Sequence, residues 1–200
     1  VTSTVSGEGK SFTSANLAIS LSLLGKKVVI VGLDIRKPGL NKVFSLSSKE
    51  KGITQYLSNP EMDLMSLVQP SDVNKNLFIL PGGTVPPNPT ELLEDGSLAT
   101  LMQDLRDEYD YIFIDCPPID IVADTQIIEQ YADRTLFVVR AGLLDRSLLS
   151  ELESIYLEKR FKNLSVILNG TESTGGRYSY RYGYSYGYHN GYTSYYGNSK

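Results

Sequence analysis

Cysteine occurs once in this 200-residue chain, at Cys116, and histidine once, at His189. A single thiol rules out an internal disulfide and suits a reducing compartment, with Cys116 reading as a space-filling side chain. A single imidazole leaves no Ser/His/Asp grouping, and no cluster of Cys, His and acids suggests zinc. His189 itself reads as a solvated residue. No apolar run approaches the length of a membrane span, and no signal peptide is visible, so the chain as written is expected to be soluble. It also starts without Met, at Val1, inside what reads as a strand, and is expected to be a piece of something longer. Aliphatic side chains are missing altogether between Tyr178 and Tyr196.

What remains fits one domain with a tail. The composition is 41% hydrophobic and 21% charged, ordinary for a chain with a full core. The formal net charge of −4 is unevenly distributed. Residues 171–200 carry Arg177, Arg181 and Lys200 against Glu172, a net of +2, which leaves −6 on residues 1–170. An acidic body with a mildly basic tail favours attraction between the two over binding of nucleic acid.

Short β-branched runs alternate with helical stretches, which predicts an α/β fold with a mostly parallel sheet flanked by helices on both faces. Strands are expected at Val1–Val5, Lys27–Leu33, Leu77–Leu80, Tyr111–Asp115, Thr135–Arg140 and Ser165–Leu168. A first helix, Ser11–Leu24, is apolar nearly all round and stops at Gly25, so burial on the sheet is expected. Thr90–Tyr109 and Arg146–Phe161 read as amphipathic covering helices, the former started by a proline-rich elbow at Val85–Pro89. Periodicity ends at Gly170. The domain is therefore placed at 1–170, and a flexible tyrosine-rich tail at 171–200.

Three segments carry chemistry. Ser6-Gly7-Glu8-Gly9-Lys10-Ser11 lies between the first strand and the first helix, where a glycine-rich loop can wrap a phosphate with its N–H groups. Lys10 supplies positive charge to the β- and γ-phosphates, Ser11 a hydroxyl to Mg²⁺, and Phe12 closes the nucleotide-binding stretch. The general G-x-x-x-x-G-K-S pattern has Gly where this chain has Thr4. The apolar strand Tyr111–Ile114 then ends in Asp115, which reads as a Walker B acid holding Mg²⁺ directly or through water. A second apolar strand delivers Asp34 to the same sheet edge, where it either binds metal or accepts a proton. Arg36 suits a structural salt bridge and a phosphate contact equally. Against these stand blander readings: a turn that happens to contain Gly and Lys, and acids that merely end strands.

The tail is the compositional outlier. Tyr178, Tyr180, Tyr182, Tyr184, Tyr186, Tyr188, Tyr192, Tyr195 and Tyr196 make up nine of the chain's fourteen tyrosines. Lacking aliphatic neighbours, these rings have no evident core to fill. They read either as phosphate acceptors or as a low-complexity segment liable to β-pairing or condensation.

Taken together, Gly7-Glu8-Gly9-Lys10-Ser11, Asp34-Ile35-Arg36-Lys37-Pro38, Pro86-Pro87-Asn88-Pro89-Thr90-Glu91-Leu92-Leu93, Asp115-Cys116-Pro117-Pro118 and the tyrosine cluster resemble the bacterial tyrosine kinases that regulate capsular and exopolysaccharide export. The resemblance implies a P-loop NTPase-like autokinase that uses ATP and Mg²⁺. Lys10, Asp34 and Asp115 would be catalytic, Ser6 to Phe12 would bind ATP, and Ser11, Asp34 and Asp115 would hold metal. The tail tyrosines would be phosphorylated mainly between neighbours in a ring-like homo-oligomer. It further implies a cytoplasmic domain of an inner-membrane protein or complex, a membrane-spanning chain-length regulator or activator, and a cognate tyrosine phosphatase. The family usually carries an acid two residues before Asp34, where this chain has Gly32, and an arginine-bearing helix ahead of the first strand.

Two other functions compete. A partitioning-type ATPase shares most of these motifs, but would want a lysine where this chain has Val5. A nucleotide-sensing scaffold would keep the loop and use the tail only to bind partners.

Overall fold

The computed structural model describes residues 1–47, 50–119 and 123–171. The tyrosine cluster, His189 and the domain boundary's tail side lie outside the described residues.

Among the described residues seven strands make up the sheet framework: β1 Thr2–Ser3, β2 Val28–Gly32, β3 Gln69–Pro70, β4 Leu77–Leu80, β5 Tyr111–Asp115, β6 Leu136–Arg140 and β7 Ser165–Asn169. Their ladders run β3-β4-β2-β5 and β1-β6-β7. All pairs are parallel except β3 with β4. The two ladders meet at β1 and β5, where Val1 N–H donates to Ile114 O (2.6 Å) and Cys116 N–H to Val1 O (3.0 Å), the spacing of a parallel pair. β1 thus sits in the middle of the framework, with the phosphate loop at its carboxyl end.

Helices cover both faces, as the alternating pattern predicts. α1 Lys10–Leu23 and α2 Leu40–Val43 pack on one, with Ala15, Ala18 and Leu40 against Val28 and Ile30 of β2 and Leu77 and Ile79 of β4. The other face buries Val29, Val31 and Leu80 under α3 Ile53–Ser58, α4 Pro89–Glu94, α5 Ser97–Glu108 and α6 Asp124–Glu129. β2 is buried along all five residues because it is covered from both sides, which is why Val-Val-Ile-Val reads as a continuous run. α7 Leu149–Leu157, preceded by a 3₁₀ turn at Arg146–Leu148, lies next to β7 in the chain and buries Ile155.

Two expectations need correction. α1 is not buried all round: Ser14, Ala15, Ala18 and Ser22 face inward, whereas Phe12, Leu23 and Leu24 are exposed at 58%, 60% and 76%. Its small residues Ala15 and Ala18 are the ones that pack with β2 and β4. Secondly, Thr90–Tyr109 is two helices. Gly96, at φ +84°, occupies the left-handed region and separates α4 from α5. The stop at Gly25 holds as expected: Gly25 has φ +83°, and its N–H and that of Lys26 donate to Ser22 O and Leu21 O.

Candidate nucleotide site

The carboxyl ends of β1, β2 and β5 are brought together by backbone bonds: Leu33 N–H and Asp34 N–H both donate to Asp115 O at 2.9 Å. These bonds place two acids beside the loop that follows β1. Within that loop Gly7 and Gly9 take φ of +91° and +100°, conformations that a side chain would strain. Lys10 opens α1. The first helical bond is Thr13 N–H to Gly9 O at 2.9 Å, so the N–H groups of Lys10, Ser11 and Phe12 have no acceptor within the helix. That is the physical basis of an anion site at a helix start.

The side chains converge as the motifs predict. Ser11 Oγ donates to Asp115 Oδ2 at 2.6 Å. Asp115 is 1% exposed and its Oδ1, also buried, has no hydrogen-bond partner among the described residues. An orphaned buried carboxylate oxygen beside a serine hydroxyl is a place prepared for a cation. Gly39 closes over the pair: a Cβ there would collide with Ser11 Oγ. Asp34 Oδ1 accepts Lys37 N–H at 2.9 Å, which fixes the acid's rotamer at the head of the β2–α2 loop.

Burial disturbs each charged group in the site. It lowers the Lys10 pKa, with Asp115, Asp34 and Glu8 pulling the other way. It raises Asp34 against the lowering effects of Lys37 N–H and Lys10. It raises Asp115 from 3.8 to about 6, opposed by the Ser11 hydrogen bond. Among the described residues Lys10 closes no salt bridge, so its ammonium remains available to a ligand. Charged groups held against their own preferences in one cluster are characteristic of a working site.

The other sequence candidates fall into place around this centre. Glu8 lies in the loop but is fully buried, and its Oε2 accepts Val5 N–H at 2.8 Å. Phe12 follows Ser11 with its ring exposed. Cys116 is buried filler, its thiol pushed up to about 11 by burial. Arg36, left open between two roles, forms the structural bridge: Nε donates to Asp124 Oδ2 at 2.8 Å and Nη2 to Thr90 Oγ1 at 2.9 Å. Thr90 Oγ1 donates in turn to Asp124 Oδ1 at 2.7 Å, so the segment bearing Asp34, the proline elbow and α6 are tied to one buried acid. Asp124 and Thr90 were not foreseen as a pair. Nor were Arg140 and Asn169, although each is the polar residue that ends an apolar strand, Leu-Phe-Val-Val-Arg and Ser-Val-Ile-Leu-Asn.

A parallel sheet with a glycine loop at its central strand, a lysine and serine opening the next helix, and an acid ending a neighbouring strand defines a P-loop nucleotide-binding domain. Residues 2–156 match the AAA domain family. The chain is 34% identical to the tyrosine-protein kinase CpsD of Streptococcus agalactiae over 178 residues, 89% of this chain and 76% of that protein. It is 35% identical to the tyrosine-protein kinase YwqD of Bacillus subtilis over 181 residues, 90% of this chain and 75% of that one. The solved structure of the kinase domain of the Escherichia coli tyrosine kinase ETK superposes with a TM-score of 0.78 at 30% identity, covering 92% of this chain and 70% of its own. The chain belongs to the bacterial tyrosine-protein kinase family.

Among the described residues no helix is long and apolar enough to cross a membrane.

Proposed function

We propose that this chain is an ATP- and Mg²⁺-dependent protein-tyrosine autokinase whose acceptors are the tyrosines of its own tail, Tyr178 to Tyr196. The observation that supports it most strongly is the meeting of Lys10, Ser11, Asp34 and Asp115, from three separate segments, around a buried carboxylate oxygen without a partner among the described residues. Mg²⁺ would be held by Ser11, Asp115 and Asp34, and when bound it supplies charge neutralisation to the β- and γ-phosphates. The loop and helix-start amides hold the phosphates, and Lys10 withdraws charge from the γ-phosphoryl group. A tyrosine oxygen attacks the γ-phosphorus, the bond to the β–γ bridging oxygen breaks, and ADP departs. The phenolic proton passes to a carboxylate; Asp34, whose proton affinity burial raises in the absence of metal, suits that role where Ser11 and Asp115 hold the Mg²⁺ without it.

The names of the relatives support kinase activity on tyrosine over a partitioning ATPase or an inert scaffold. Transfer between subunits of a ring-like homo-oligomer, control of capsular or exopolysaccharide synthesis and export, and partnership with a membrane-spanning regulator and a phosphatase complete the reading. Tethering in an oligomer raises the local concentration of acceptors, and each phosphate adds about −1.5 to −2 charges to a tail of +2.

Purified chain incubated with Mg-ATP should gain phosphotyrosine at several tail positions, located by mass spectrometry, whereas Lys10→Met should gain none. An isotope-labelled Lys10→Met chain mixed with wild type should become phosphorylated, which reports transfer between molecules. No tail phosphate from wild type, or equal phosphate from Lys10→Met alone, would reject autokinase activity.

A further inference from the structure

Glu8 is a negative charge built into a loop that receives phosphate. Fully buried, it faces two backbone donors: Oε2 accepts Val5 N–H at 2.8 Å, and Oε1 accepts Arg140 N–H at 3.3 Å. Two of the loop's carbonyls are gripped from the carboxyl ends of β6 and β7. Arg140 Nη1 donates to Gly7 O at 3.0 Å, and Asn169 Nδ2 donates to Glu8 O at 2.9 Å. Glu8 therefore ties the loop inward by two donors, while Arg140 and Asn169 bind two of its carbonyls. The helix-start amides of Lys10, Ser11 and Phe12 are left for an anion.

The grip continues to the end of β7. Gly170 follows Asn169 at φ +68°, and its N–H donates to Asn169 Oδ1 at 2.8 Å. A Cβ on Gly170 would approach Arg140 Cγ to 3.1 Å and Arg140 Nε to 3.3 Å. The arginine that holds Gly7 thus also lies against Gly170, the residue that follows β7 and precedes the tyrosine-rich segment in the sequence.

We propose that Glu8 and Arg140 are positioning residues that act on the nucleotide through the phosphate loop, and that Arg140 makes the loop's geometry depend on the chain's exit at Gly170. This rests on the nucleotide reading above. The carboxylate is required for chemical reasons: glutamine has one acceptor oxygen, so its NH₂ would meet either Val5 N–H or Arg140 N–H donor to donor. A methyl group at Gly170, itself strained at φ +68°, would press on the Arg140 stem at Cγ and Nε and shift its guanidinium away from Gly7 O.

Isothermal titration of the full chain with Mg-ATP, alongside apo melting temperatures and autophosphorylation kinetics, tests this. Arg140→Ala and Gly170→Ala should each weaken Mg-ATP binding about fivefold to tenfold, with apo melting within about 3 °C of wild type. KM for ATP should rise by the same factor while kcat at saturating ATP changes by less than about twofold. Arg140→Lys should recover part of the loss, since an ammonium still reaches Gly7 O. Glu8→Gln should lose about tenfold or more. Gly170→Ala should add nothing in the Arg140→Ala background. Wild-type affinity in Arg140→Ala, or independent effects of the two substitutions, overturns the proposal. So does loss of affinity that only tracks loss of folded protein. A wild-type chain that binds no Mg-ATP overturns the nucleotide reading, and this proposal with it.

Discussion

Replacing Asp115 with Asn should stabilise the empty domain while removing its response to Mg-ATP. The carboxyl is 1% exposed, keeps one oxygen on Ser11 Oγ and leaves the other without a partner among the described residues. Burial raises its pKa from 3.8 to about 6. Between those two pH values the folded state binds more protons than the unfolded one, so stability falls as pH rises and the loss is complete above about pH 6. A difference of that size corresponds to about 3 kcal/mol at neutral pH. Asparagine is close in shape, can still accept from Ser11, and carries no charge to desolvate.

Denaturant titrations of wild type and Asp115→Asn, at steps from pH 4 to pH 8 with divalent cations chelated, measure the effect. The variant should match wild type near pH 4 and exceed it by up to about 3 kcal/mol at pH 7, or roughly 6–12 °C in melting temperature. Adding Mg-ATP should raise the wild-type melting temperature and leave the variant almost unmoved, since a ligand stabilises only the state it binds. A variant less stable than wild type at pH 7, or one with an unchanged pH dependence between pH 4 and pH 6, would refute the argument.

Two further substitutions probe the scaffold. Asp124→Ala removes the buried acid that Arg36 and Thr90 share. It should destabilise by about 2 kcal/mol, below the 3–5 kcal/mol typical of breaking a buried pair because the Arg36 side chain is 34% exposed and regains water; equal denaturation midpoints for variant and wild type would contradict it. Gly52→Ala puts a methyl group into Pro81 O, with Gly83 N at 2.7 Å, and should cost about 1–3 kcal/mol, seen as a lower urea midpoint at unchanged m-value. An unaltered midpoint would mean that the loop after β4 shifts freely.

β2 was legible because a parallel strand covered on both sides must be apolar at every position, and Val28–Val31 leaves little choice of period; β5 shows a similar apolar run although only its carboxyl end, Ile114 and Asp115, is buried. Lys10, Ser11, Asp34 and Asp115 were legible for a related reason. Each belongs to a short local motif at a strand end, so its place in the site follows from the strand. α2, α3 and α6 were not foreseen, since helices of four to six residues make too few turns to show a periodic face. The break at Gly96 had a visible signal, Glu-Asp-Gly-Ser inside the amphipathic run, and was overridden by the length of the pattern. The loop brace left almost no local trace: its bonds join residues 132 to 161 positions apart.

Gly32 is where sequence resemblance and packing ask different things of one position. The family resemblance leads to the expectation of an acid there, two residues before Asp34, and its absence would read as a lost catalytic group. The structure supplies a packing reason for the glycine. A Cβ at residue 32 would lie 3.1 Å from Gly82 N and 3.3 Å from Leu40 Cδ1, and one at Gly82 would lie 3.0 Å from Gly32 O. The end of β2 and the loop after β4 approach each other through two glycines, and an acid at 32 would have to push that loop outward. Asp34 keeps its place regardless, because its backbone is bonded to Asp115 O and its carboxylate to Lys37 N–H. On the mechanism proposed above, proton acceptance would fall to an acid already raised by burial and set beside Lys10, and the glycine pair is what lets β2 deliver that acid while staying closed against its neighbour.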